Sequence, residues 1–152
     1  ELIEAWYPAT LWNPLGRDPV LFGDHEGLEG RTTYASIGGC YYAARLAVAE
    51  ALVRERRQAA TVILRETHPG YIMPVGVWNV REHVRDALRR PPHTFASLRE
   101  TLVYLQSRLD IPMARYVRVS EVLKHVLYQR SFDDFVSLTD LPAAHSAIPG
   151  QS

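Results

Sequence analysis

The stretch from Gly38 to Arg90, GGCYYAARLAVAEALVRERRQAATVILRETHPGYIMPVGVWNVREHVRDALRR, constrains the fold more than any other. Tyr41 to Gln58 predicts a helix. Its alanines and leucines carry high helical propensity, and Tyr42, Leu46, Ala49 and Val53 recur at three- and four-residue steps. Arg54, Arg56 and Arg57 place cations at its C-terminal end, where the macrodipole favours them. Thr61 to Leu64 is a short β-branched and apolar run of the kind that forms a buried strand. His68-Pro69-Gly70 is turn chemistry, and Pro74 makes Tyr71 to Val77 extended or irregular. Asn79 is the expected N-cap of a second helix that runs to Arg90. Its apolar face is Val80, Val84, Ala87 and Leu88, and Pro91-Pro92 ends it.

Outside this core the signals are shorter. Residues 1 to 30 are rich in Pro, Gly and aromatics (Trp6, Tyr7, Trp12, Phe22) and lack a sustained period, so they read as an irregular arm packing its aromatics on the domain. Arg31 to Ile37 has β-leaning residues and suggests a strand. Thr94 is the expected cap of a helix from Phe95 to Leu109. Tyr116 to Val119 is read as a short strand or a connector, and Ser120 as the cap of a last helix, Glu121 to Gln129. These elements predict an α-rich α+β domain, three to four helices around a small β-sheet. The expected organisation is an arm over 1–30, a basic globular domain over 31–128, a peptide motif over 129–136 and a flexible tail over 137–152.

The formal net charge of zero conceals a segregation. Residues 1–30 hold six acids and one base, residues 31–130 hold sixteen bases and eight acids, and residues 131–152 hold three acids and no base. Every base but Lys124 is arginine, whose planar fork suits phosphate, so the middle of the chain points to a polyanion, DNA above all. Arg81, Arg85 and Arg89 recur every four residues on one side of a helix, extended by Arg90, and are the first candidates for phosphate contact. Arg56 and Arg57 are the second. The competing reading is a solvated face neutralised by Glu82 and Asp86 at pairing distance.

Catalytic signals are sparse. There is no Gly-rich phosphate loop, no H-E-x-x-H and no paired-cysteine zinc motif. Glu66 and His68 leave the end of a strand and, joined by Asp24 or His25, offer ligands for Mg²⁺ or Mn²⁺. That set would fit a metal-dependent nuclease, although a turn role for His68-Pro69-Gly70 explains the same residues. No cofactor is firmly implied. Cys40 starts a helix, where a dipole lowers a thiol pKa, but a buried small apolar residue explains it equally. One cysteine excludes an internal disulfide and fits a reducing, cytoplasmic setting, and no apolar run is long enough for a membrane span. The first residue is Glu1, not Met, which suggests a fragment or processed product.

The segment Gln129-Arg130-Ser131-Phe132-Asp133-Asp134-Phe135-Val136 has the Q-x-x-h-x-x-a spacing of peptides that dock on DNA sliding clamps. One tight helical turn would gather Phe132, Phe135 and Val136 into an apolar plug and leave Gln129 to hydrogen-bond at its rim. Val136 stands where an aromatic is usual. The alternative is that both phenylalanines fold back on the last helix.

With these residues in hand, the chain resembles the C-terminal part of the archaeal Nre family of DNA repair proteins. The carriers are YYAARLAVAEAL (Tyr41 to Leu52), RRQAATVILRE (Arg56 to Glu66), HPGYIMPVGVWNVREHVRDAL (His68 to Leu88) and the Gln129 to Phe135 motif. The resemblance implies DNA damage repair through the sliding clamp, with Gln129, Phe132 and Phe135 as anchors, and implies no catalytic residue. It also implies a longer two-part chain, so the missing N-terminal domain is an expected partner. The sixteen residues after Val136 depart from the pattern, in which the clamp motif closes the chain. The expected function is a DNA repair factor that binds DNA through arginines and is recruited by the clamp. The alternatives are a metal-dependent DNA-processing enzyme using Glu66 and His68, and a structural domain of a larger protein.

Overall fold

The computed structural model describes residues 1–73 and 76–129. Within them a mixed three-stranded sheet in the order β2-β1-β3 is covered by helices on both faces. The strands are β1 (Leu2–Trp6), β2 (Val20–Asp24) and β3 (Ile63–Thr67). The helices are α1 (Gly39–Glu55), α2 (Gly76–Arg89), α3 (Leu98–Gln106), α4 (Met113–Val119) and α5, residues 121–129. The α-rich α+β expectation holds. Phe132, Phe135, Val136 and the expected tail lie outside the described residues.

The first residues are the principal correction. They are not an irregular arm: β1 is the central strand, antiparallel to β2 and parallel to β3, and all five of its residues are buried. A strand covered on both faces shows no apolar–polar alternation, so the period that marks half-buried strands is missing. Leu2 faces Ala35, Tyr41, Ala44, Ala47, Val80 and Val84 of the α1–α2 layer. Ile3 and Ala5 face Ile111, Met113, Tyr116 and Leu123 on the opposite side. Between them sits Glu4, buried, directly across from Arg65 of β3. Arg65 Nη1 lies 2.7 Å from Glu4 Oε1, and Trp6 Nε1 donates to Glu4 Oε2 at 3.3 Å.

The rest of the arm is ordered by side chains. Asn13 Nδ2 donates to the Trp6 and Asp18 carbonyls at 3.0 and 2.8 Å, closing the β1–β2 connection into a compact loop. Trp12 and Tyr71 meet the Trp6 ring edge-on. The strand expected at Arg31 to Ile37 does not form, because its donors go elsewhere. Ser36 N–H donates to Asp24 Oδ2 at 2.6 Å, and Ala35 N–H to the Tyr42 hydroxyl at 3.0 Å.

In α1 the buried face is Tyr41, Ala43, Ala44, Ala47 and Ala51, not the Tyr42–Leu46–Ala49–Val53 row, whose Leu46 and Val53 are exposed. Small residues win because α2 comes close: a Cβ on Gly39 would lie 2.6 Å from Val77 Cγ1. Gly39 beside Val77 and Glu50 bonded to Arg85 fix the two helices side by side in the same direction. α2 begins before Asn79, whose Oδ1 instead accepts from Arg65 Nη2 at 3.1 Å. α3 begins three residues later than the Thr94 cap predicts. Ser97 Oγ accepts from Glu100 N–H at 3.2 Å while Glu100 Oε2 accepts from Ala96 N–H at 3.1 Å, a reciprocal cap. Tyr116 to Val119 is helical: the Pro112 carbonyl accepts from Arg115 N–H at 2.8 Å at the start of the turn, and Met113 and Tyr116 bury at helical spacing. Ser120 caps α5 as expected, accepting from Leu123 N–H at 2.9 Å.

Glu4→Ala leaves the Arg65 guanidinium buried without its carboxylate and is expected to cost about 3–5 kcal/mol. Arg65→Met added to it should recover part of that loss. Urea unfolding of the two single variants and the double variant measures the coupling, and additive losses would show that the pair contributes nothing as a pair.

Candidate functional site

Glu66 and His68 meet a third group that is not from the arm. β3 carries Glu66 on the face of Ile3 and Ala5, toward the α3–α4 turn. There Glu66 Oε1 accepts from Ile111 N–H and the Tyr116 hydroxyl, both at 2.9 Å, and Oε2 from Asp110 N–H at 3.1 Å. His68 Nε2 lies 3.6 Å from Glu66 Oε2, and His68 Nδ1 3.9 Å from Asp110 Oδ2. Ligand atoms of Glu66, His68 and Asp110 all fall within 4.8 Å of one another, so the three could hold a cation. The His68 ring is stacked on Tyr7 at 4.6 Å. Burial, then the bond to Glu66, pushes the Tyr116 hydroxyl pKa up, so it stays a proton donor to that carboxylate. Burial and the nearby Glu66 and Asp110 raise the Tyr7 phenol as well. Glu66 thus anchors the α3–α4 turn and leaves one side of Oε2 toward His68.

Asp24 and His25 do not join this cluster. Asp24 stands opposite Leu2 while Thr67 stands opposite Trp6, four residues along β1, or about 13 Å at strand rise. Its carboxylate accepts from the Arg31 guanidinium, Ser36 N–H and Oγ, and His25 N–H. Burial opposes its charge, but these hydrogen bonds outweigh that and hold its pKa below the ordinary aspartate value. The Cys40 thiol is pushed up, by burial first and by Glu4 second, which suits an apolar filler and not a nucleophile.

The arginine stripe divides. Arg85 grips Glu50 of α1 with two bonds, at 2.9 and 2.7 Å, and Glu82 of its own helix with a third at 2.6 Å. Those bonds raise its pKa further. Arg81 lies over the Trp78 ring at 3.8 Å, its Nε 3.7 Å from Glu82. Arg90 pairs with Asp86 at 2.6 Å, both side chains largely exposed. The Arg89 side chain makes no hydrogen bond or ion pair with a described residue. Arg56 closes α1 in the left-handed conformation, and Arg57 reaches Glu55 at 3.8 Å. Since α1 and α2 run together past the Glu50–Arg85 bridge, Arg54 and Arg89 each lie one helical turn beyond it, at the end where both helices terminate. Arg54 likewise makes no ion pair with a described residue, although its field reaches Glu50. Arg54, Arg56, Arg57, Arg89 and Arg90 therefore gather at one end of the layer. Gln129 is exposed on α5.

Asp110 escaped the sequence reading because it is 44 positions from Glu66 in a turn without a motif. The lone local signal was a carboxylate beside Ile111-Pro112, a common turn composition.

These features define a small α+β domain with a buried ion pair in its sheet and a cluster of arginines at one end of its paired helices. The chain belongs to the archaeal Nre family: residues 26–135 match the model of its C-terminal region, described as "Archaeal Nre, C-terminal". It is 44% identical over 121 residues to DNA repair protein NreB of Archaeoglobus fulgidus, covering 80% of this chain and 31% of that protein. It is 36% identical over 110 residues to DNA repair protein NreA of the same organism, covering 72% and 28%. Over 92 residues it is 45% identical to DNA repair protein NreA of Haloferax volcanii, covering 57% and 21%. The chain thus spans about a third or less of the length of these relatives. No solved structure matches it significantly. Among the described residues no helix is long and apolar enough to cross a membrane.

The Asp24 pKa is lowered on folding, so its contribution is whole above the ordinary aspartate value of about 3.9 and is lost as pH falls through the folded value below it. Asp24→Asn should lower stability at pH 7 by roughly 1.5–3 kcal/mol, the range for hydrogen bonds to a charged group. The same variant should flatten the decline below pH 4, which denaturant unfolding from pH 7 to pH 2.5 would record.

Proposed function

We propose that this chain is part of a DNA repair protein, that it contacts DNA through the arginines gathered where α1 and α2 end, and that Gln129, Phe132, Phe135 and Val136 recruit it to a DNA sliding clamp. Repair is supported by the relatives, all three of which carry that name. The observation that carries DNA contact is the pair Arg54 and Arg89, two guanidiniums free of carboxylate bonds with described residues and one turn beyond the Glu50–Arg85 bridge. Arg56, Arg57 and Arg90 surround them with exposed, weakly held charge. Arg85 serves mainly to join the two helices, Arg81 is held on Trp78 and Glu82 of its own helix, and both steer at longer range. Clamp recruitment is supported by the spacing of Gln129, Phe132 and Phe135 and by a family match that runs through Phe135.

Each guanidinium that neutralises a phosphate adds about 0.9 to the salt dependence of binding. Arg54→Gln with Arg89→Gln should weaken binding to a DNA duplex at low salt and reduce the slope of log K against log salt by about 2. An unchanged slope would remove this face from consideration. Phe132→Ala with Phe135→Ala should abolish co-elution with the sliding clamp and leave DNA affinity as it was; persistent co-elution rejects the motif.

The Glu66–His68–Asp110 cluster favours a second reading, a divalent cation held for DNA processing. In the same DNA assay with Mn²⁺, it expects cleavage that His68→Ala removes. Intact duplex at every Mn²⁺ concentration leaves Glu66 as the anchor of the α3–α4 turn.

A further inference from the structure

α3 and α5 leave between them an apolar groove of about 370 Å³, lined by Leu98, Arg99, Leu102, Val103, Gln106 and Leu127. Val103 on the groove wall is 66% exposed, while Leu98, Leu102 and Leu105 of the same helix pack against the core. No residue of α3 is fully buried, so this helix has more apolar surface than the sheet covers. Leu127 stands on the groove wall two residues before the last described position.

We propose that residues 132–136 of this same chain, Phe132-Asp133-Asp134-Phe135-Val136, dock in the α3–α5 groove in cis. Tether length is the first argument. Phe132 follows the groove-lining Leu127 by five residues, so its reach is about 8 Å if the helix continues and at most about 18 Å if the chain extends. A segment on so short a tether faces the groove at an effective concentration in the millimolar range, so even weak intrinsic affinity fills it. Chemistry is the second. Phe132, Phe135 and Val136 supply apolar side chains to an apolar wall, and Asp133 and Asp134 fall between the two rings. Arg99, on the groove's rim, has no ion pair with a described residue and offers those carboxylates a cation. Docking hides Phe132 and Phe135, the two rings any partner of the Gln129 motif would take, so cis docking and partner binding exclude each other. The groove reading needs no clamp and stands whether or not one binds.

The test uses the full 152-residue chain. In methyl-labelled protein, Phe132→Ser with Phe135→Ser should move the resonances of Leu102, Val103 and Leu127 by removing two ring currents, while the methyls of Leu2 and Ile3 stay in place. A synthetic peptide of residues 129–138 should bind this variant and return those resonances toward their original positions. It should bind the unaltered protein at least about tenfold more weakly, since the tethered copy competes. Arg99→Glu should weaken peptide binding, and a peptide with both aspartates changed to lysine should regain it. Methyl resonances that ignore the double substitution, or a peptide that binds both proteins alike, would overturn the proposal. Shifts that appear only as protein concentration rises would overturn it in favour of a second copy in the groove.

Discussion

The contact between Glu4 and Arg65 is the constraint from which the rest of the structure follows. A central strand with an ionised carboxylate at its middle is stable only if that charge is matched where it lies. The parallel register of β1 and β3 puts Arg65 directly opposite. Arg65 then reaches outward, its second nitrogen to Asn79 of α2 and its face toward the rings of Trp6 and Tyr71. One guanidinium thereby ties the sheet to α2 and to the loops after β1 and β3. A slip of one residue would set Glu4 opposite Leu64 or Glu66 instead of Arg65, so the pair specifies register as well as stability.

The α1–α2 seam follows the same logic at the surface. Alanines on α1 let α2 come close, and closeness brings Glu50 within reach of Arg85. The bridge is exposed, so it adds little to stability by itself; its effect is to set which guanidiniums are occupied. Arg81 and Arg85 are drawn inward onto Trp78, Glu82 and Glu50. Arg54 and Arg89, one turn further, find no described carboxylate. A stripe that is uniform in sequence therefore becomes uneven in space, and its outer end is the part that faces solvent with charge unspent.

Elements whose logic is local were legible. α1, α2 and the Ser120 cap each declare themselves within a dozen residues, and β3 follows from Val62, Ile63 and Leu64 with its bounds displaced toward Thr67. β1 was not legible, because five buried residues including a glutamate offer no period, and the arginine that explains Glu4 lies 61 positions away. The capping pair Ser97 and Glu100 was within reach of local reading, but Thr94 stood nearer the end of the proline run. Of the site, the sequence places Glu66 and His68 together. It cannot place Asp110 beside them or Asp24 at the other end of the sheet, since both depend on strand pairing and the return of α3. The division of the arginine stripe is likewise invisible without knowing that Glu50 faces Arg85.

The same distant pairing changes what the charge pattern means. Along the chain, an acidic first segment precedes a basic middle, which reads as a large uncompensated positive field. In space three of the six acids of that first segment are spent on the middle: Glu4 on Arg65, Asp24 on Arg31 and Glu26 on Arg45. Segregation in sequence has become neutralisation across the fold, so net charge along a segment overstates the field a polyanion would meet. What survives is set by geometry, namely the arginines that tertiary structure leaves without a carboxylate. Two of them, Arg54 and Arg89, lie together beyond the last α1–α2 bridge, at helix C-termini whose own dipoles favour cations there. An anion approaching that end meets the side chains before the carbonyls, because guanidinium stems carry their charge well past the backbone. The electrostatic surface is therefore a consequence of where β1 sits: move the acidic first segment out of the sheet, and Arg65, Arg31 and Arg45 would lose their partners at once.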